Sequence, residues 1–133
     1  MKKYSYQLLL TFFLLAISSR AQYSLNTTLT GYWGYGTCYA VAQSGNYAYA
    51  GCGNVILVID ISNPMVPVKA GEQATGGRID GITLAGNYAY VAGYEAGLRV
   101  VDIGDPAAPL EIGYYQTPGY AMEVAVSGNY AYV

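Results

Sequence analysis

Between residues 79 and 116 the chain alternates short apolar runs with turn-forming residues. "IDGITLA" (79–85) is followed by Gly-Asn, "YAYVAG" (88–93) by "YEAG", "LRVVDI" (98–103) by "GDPAAP", and "LEIGYYQ" (110–116) by "TPG". Within "YAY" the rings and the small Ala fall on opposite faces of an extended chain, the period-two signature of a strand. Gly-Asn, Asp-Pro and Pro-Gly each bend the backbone for a defined reason: φ above zero at Gly or Asn, or φ fixed near −65° at Pro. The prolines stand in the connections, where no ladder N–H is needed. Four strands in an antiparallel meander are therefore predicted, and nothing beyond residue 21 has the sustained apolar spacing of a helix.

The pattern repeats. "GNYAY" occurs at 45–49, 86–90 and 128–132, and "ILVIDISNPMVP" (56–67) matches "LRVVDIGDPAAP" (98–109). Gly45, Gly86 and Gly128 are separated by 41 and 42 residues, and Asp60 and Asp102 by 42. The one-residue difference falls in the turn between "YAGCGN" and "YVAGYEAG". Four antiparallel strands per period of about 40–45 residues identify a β-propeller blade. The expected fold is all-β, a partial propeller with a period of about 42 residues.

The two Asp-ending strands, each preceded by "GNYAY", resemble the LVIVD repeat family, and the likeness runs from about residue 31 to 133. The resemblance implies a bacterial or archaeal propeller, secreted or held at the cell surface, and brings no assigned activity. The expected layout is a signal peptide (1–21) and an incomplete propeller (22–133). The latter divides into an outer strand (29–36), repeats at 37–78 and 79–119, and a half repeat at 120–133. Because the last copy stops at "GNYAYV", the chain reads as the N-terminal part of a longer protein; a ring assembled from several short chains is the alternative.

Residues 1–21 set the compartment. Lys2 and Lys3 precede the ten-residue apolar run "LLLTFFLLAI" (8–17), and Ser19 and Ala21 suit cleavage after Ala21. That is the layout of a secretory signal peptide, and the run is shorter than the roughly 20 residues of a membrane-spanning helix. Export is expected, with no stable membrane insertion after cleavage. Beyond residue 21 the bases are Lys69, Arg78 and Arg99 against eight acids, a net charge of −5. This balance disfavours nucleic acid and anionic lipid as partners. His is absent, so no imidazole base or imidazole metal ligand is available.

Candidate residues follow from comparing the copies. Features found in every copy read as scaffold: the Gly45-Asn46, Gly86-Asn87 and Gly128-Asn129 turns, and Asp60 and Asp102, whose carboxylates would accept N–H groups of the following turn. The repeated tyrosines are expected to pack between blades, with sugar stacking as the alternative. Cys38 and Cys52 occur only in the first copy and flank its hairpin. A three-residue Ser44–Asn46 loop would oppose them directly, as a disulfide requires. A two-residue Gly-Asn loop would offset them by one position, leaving two thiols.

Charges that the copies do not share mark the strand starts: Arg78, Asp80 and Glu123, candidate ligand contacts at the mouth of the channel. No catalytic group, cofactor or metal site is assigned. The expected function is a non-catalytic extracellular binding or scaffold module with an unidentified protein or glycan partner. The alternatives are a carbohydrate-active propeller enzyme whose catalytic groups lie in further blades, and a structural adhesin segment.

Overall fold

A computed structural model describes residues 35–133. The proposed signal peptide lies outside the described residues, as does 29–34 of the proposed outer strand; Tyr35 and Gly36 belong to no strand. The described chain is all-β. Strands β1 (Cys38–Ser44), β2 (Tyr47–Cys52), β3 (Val55–Asp60) and β4 (Val68–Ala74) form one antiparallel sheet in sequential order. Strands β5 (Gly81–Ala85), β6 (Tyr88–Ala92), β7 (Leu98–Asp102) and β8 (Leu110–Tyr115) form a second, and β9 (Ala125–Ser127) pairs with β10 (Tyr130–Tyr132). These are two propeller blades and the first hairpin of a third.

Each blade begins with the same hairpin. Ser44 pairs with Tyr47 and Ala85 with Tyr88, so each loop has two residues, Gly-Asn. Gly45, Gly86 and Gly128 have φ of 56°, 57° and 56°, and the Asn residues do not take positive φ. Gly at the first turn position with positive φ is the requirement of a type II′ turn, whose twist matches that of the strands. The second regular device lies between the outer two strands. Register slips after Val58, leaving Ala70 extra in β4, and after Val100, leaving Ile112 extra in β8. Both bulges sit one period apart, so each bends its outer strand at the same level.

The blades stack through alternating faces. Tyr49, Ile56 and Val58 of the first blade meet Ile79, Ala89, Val91, Val101 and Ile103 in one buried cluster. Tyr49 is 3% exposed, and burial raises its phenol pKa. The tyrosine face of each sheet thus meets the alanine and valine face of the next. At the second junction half-buried Tyr90 and Leu98 pack on Ala92, Ala121 and Val124. Fully burying one such aliphatic side chain contributes about 1.5–3 kcal/mol, so this seam dominates the cohesion of the blades. A Cβ at Gly51 would overlap the Ile79 side chain, so close approach of the sheets depends on glycine there. Innermost strands β1, β5 and β9 lie side by side, as around a propeller axis.

Candidate functional site

The shared turn residues do structural work. Asp60 Oδ1 accepts the Ser62 N–H at 2.8 Å, and Asp102 Oδ1 accepts the Gly104 N–H at 2.8 Å. Asn63 and Asp105 repeat the device three residues on, accepting from Met65 at 3.1 Å and Ala107 at 3.0 Å. Two successive side-chain-capped turns thus carry the chain from the third to the fourth strand of each blade. The Ser62 N–H holds the Asp60 carboxyl below its ordinary pKa. The Asn46 and Asn87 carbonyls receive the Ile61 and Ile103 N–H groups at 2.8 Å, tying each hairpin turn to the same corner. Gly128 and Asn129 form the equivalent turn of the third hairpin.

Cys38 and Cys52 are joined by a disulfide. The hairpin loop has two residues, which alone would offset the pair. A bulge at Tyr39 removes the offset: Ala40 pairs with Gly51, and Cys38 pairs with Cys52. The alternative geometry therefore holds at the turn, and the bulge restores the opposition.

Arg78 and Asp80 form one unit. In extended chain, residues two apart share a face, so Arg78 and Asp80 lie on one side of the chain while Ile79, on the other, enters the core with no exposed surface. Arg78 Nε and Nη2 donate to the two Asp80 carboxylate oxygens, both at 2.7 Å. Asp80 is 9% exposed along its side chain and Arg78 43%. The bidentate pair fixes the plane of the guanidinium. Glu123 stays apart: it is exposed and has no ion pair among the described residues.

Three tyrosines complete the arrangement. The Arg78 guanidinium lies 4.1 Å from the Tyr94 ring centroid and 5.2 Å from that of Tyr39. Tyr94 in turn stacks on Tyr120, with centroids 4.2 Å apart and planes within 7°. A ring has two faces, and both neighbours sit at contact distance, so Tyr94 is sandwiched between Arg78 and Tyr120. The result is a column, Tyr39–Arg78–Tyr94–Tyr120, built from the first strand of one blade, the approach to β5 and the β6–β7 turn of the next, and the start of the third. Its end rings, Tyr39 and Tyr120, are 57% and 62% exposed. Beside Tyr120 lies a cleft of about 390 Å³ lined by Glu95, Gln116, Thr117, Pro118, Gly119 and Tyr120.

Tyr94 has φ 51° and is the one non-glycine residue with positive φ among those described. Its N–H and C=O both pair with Ala121 at 3.0 Å, binding the second blade to the third. The first blade makes the equivalent link through Gly53, φ 61°, whose carbonyl accepts the Ile79 N–H at 2.8 Å. Gly53 is also the first residue of the two-residue loop between Cys52 and Val55, where positive φ is a turn requirement that glycine meets without strain. A tyrosine in that conformation costs about 1–2 kcal/mol of backbone energy.

Sequence reasoning from unshared charges found Arg78 and Asp80 and missed the rings. A signal was present. Tyr120 holds the same repeat position as Arg78, 42 residues on, and Tyr94 opens the turn that carries the one-residue length difference.

The sheets, their order and their stacking define a repeat module of propeller architecture. The chain belongs to the LVIVD repeat family, whose model matches residues 36–75, 76–117 and 118–133. The first match contains β1–β4, the second β5–β8, and the third the final hairpin. No curated protein matches the chain.

Proposed function

We propose that this chain is a non-catalytic extracellular binding module whose contact site is the aromatic–arginine column at the blade mouths. The carrying observation is Tyr94. It occupies a left-handed position where the neighbouring blade uses glycine, and its ring is spent on holding Arg78 and Tyr120 in line. Backbone strain kept for the sake of a partly exposed side chain supports a role in recognition.

Catalysis has little support in this geometry. Asp80, the carboxylate nearest the column, accepts from Arg78 through both oxygens, so its hydrogen-bonding is directed at the guanidinium and not at a substrate. Among the described residues no three metal-ligating side chains cluster, and no helix is long and apolar enough to cross a membrane. Location outside the cell is supported by the leader-like residues 1–21 and by the Cys38–Cys52 disulfide, which suits an oxidising compartment.

The test is retention of the full chain on an array of immobilised extracellular polymers, glycans and proteins together, by the wild type and Tyr94→Gly. Retention by the wild type and loss in a folded variant is expected; equal retention by the two would remove the column from the site.

A further inference from the structure

We propose that the mouth takes neutral pyranose glycans, a sugar ring stacking on the free face of Tyr120 with its hydroxyls reaching the adjoining cleft; this rests on the binding reading above. Three observations select that class. The first is shape. The rings meet pairwise, Tyr39 at 5.2 Å and Tyr94 at 4.1 Å from the Arg78 guanidinium and Tyr120 at 4.2 Å from Tyr94, so the guanidinium already takes the cation position beside Tyr39 and Tyr94 and leaves one exposed ring, Tyr120, instead of the multi-sided cage that holds a quaternary ammonium ion. A single flat, exposed phenol ring instead fits the flat C–H face of a pyranose, with apolar contact on the ring and water at its edge.

The second is charge. Arg78 is the one base in the column, and Asp80 already neutralises it. Glu95 lines the cleft and Glu123 follows Tyr120 by three residues, neither with an ion pair among the described residues. A uronate, sialate or phosphate would meet net negative potential there. Charge therefore selects against anions, and a neutral ligand meets no such opposition; a cation is disfavoured by shape, not by charge, and the choline titration tests it.

The third is the lining. The Glu95 carboxylate accepts hydroxyl donors. Gln116 gives one amide N–H to the Glu95 carbonyl at 2.8 Å and retains a second N–H and its oxygen. Alternating acceptors and donors beside an aromatic wall is what vicinal hydroxyls pair with. The cleft's 390 Å³ lies in the range of about 300–1,000 Å³ usual for small-molecule sites.

The experiment is calorimetric titration of the full chain with cello-, malto-, manno- and xylohexaose, an oligogalacturonate of equal length, and choline. Wild type is compared with Tyr120→Ala, Tyr94→Gly and Glu95→Gln, each checked for folding by circular dichroism. At least one neutral hexamer should bind, at least about tenfold more weakly in Tyr120→Ala, since a lost stack plus its buried area is worth about that factor. Glu95→Gln should weaken the same sugar, and the oligogalacturonate should not compete. Preference for choline or oligogalacturonate, lost in Tyr120→Ala, overturns the neutral-sugar assignment and keeps the mouth as the site. Neutral-sugar binding unchanged in Tyr120→Ala and Tyr94→Gly overturns the site itself. Binding of none of the neutral hexamers overturns the assignment.

Discussion

Replacing Tyr94 by glycine and by alanine separates the two things this residue does. Both variants lose the ring. That removes the stack on Tyr120, about 0.5–1.5 kcal/mol, and the contact with the Arg78 guanidinium, about 0.5–1 kcal/mol at an exposed site. Only glycine also relieves the φ of 51°, worth about 1–2 kcal/mol. Against this, glycine orders a freer unfolded chain at about 0.5–1 kcal/mol. The order of stability should be wild type, then glycine, then alanine, with glycine about 1 kcal/mol above alanine. Ordinary strand preference gives the opposite order, because glycine inside a sheet weakens it.

Urea unfolding followed by circular dichroism reads the difference as a shift in midpoint at constant slope. In thermal unfolding about 1 kcal/mol corresponds to about 4–8 °C for a domain of this size. Gly53→Ala is the mirror control, since it adds a Cβ at φ 61° with nothing within 4 Å of it. It should lose about 1 kcal/mol through backbone strain alone. If Tyr94→Ala is as stable as Tyr94→Gly or more so while Gly53→Ala is neutral, the left-handed conformation at these two positions carries no cost of about 1–2 kcal/mol.

Reducing the Cys38–Cys52 bond, which spans 14 residues, should lower stability by about 3 kcal/mol, read as a fall in urea midpoint on adding a phosphine reductant. Gly51→Ala should cost about 1–3 kcal/mol, because the new methyl meets Cγ2 and Cβ of the fully buried Ile79; in the same assay the double variant with Ile79→Ala, which removes Cγ2, should lose less than the sum of the two single losses. Asp60 has its folded pKa depressed by the Ser62 N–H, so its contribution is complete above the ordinary aspartate value of 3.8 and is lost as pH falls through the lower folded value. Asp60→Asn retains an acceptor for that N–H, so its thermal midpoint should fall less steeply between pH 4 and 2 than that of the wild type.

The blades were legible in the sequence because each device recurs. Gly-Asn marks the hairpin, Asp60 and Asp102 mark the corner, and the alternation in "YAYV" sets which face meets the next blade. The bulge at Ala70 and Ile112 was not legible. Both strands are apolar and polar in alternation on either side of it, and nothing in residue type marks where one extra residue is taken up. The bulge at Tyr39 was hidden in the same way, and with it the route by which a two-residue turn still opposes Cys38 and Cys52.

The column at the mouth was half legible for a different reason. Arg78 and Asp80 stand two apart in the extended segment just before β5, so local alternation alone puts them on one face. Tyr39, Tyr94 and Tyr120 come from a bulge, a turn and the next blade, and only the stacking of blades brings them together. What they share is that none is repeated: position 78 is Arg in one copy and its counterpart at 120 is Tyr, while the link made by Gly53 is made by Tyr94 one blade later. Packing between blades demands the same solution at every junction, so residues that agree across copies are accounted for by cohesion. A residue that departs from its copies at a mechanical cost, as Tyr94 does in φ, is not explained by cohesion, because the neighbouring junction shows the cheaper answer. For a repeat fold the search for a site is therefore best begun with strained departures from the repeat and with their aromatic as well as their charged members.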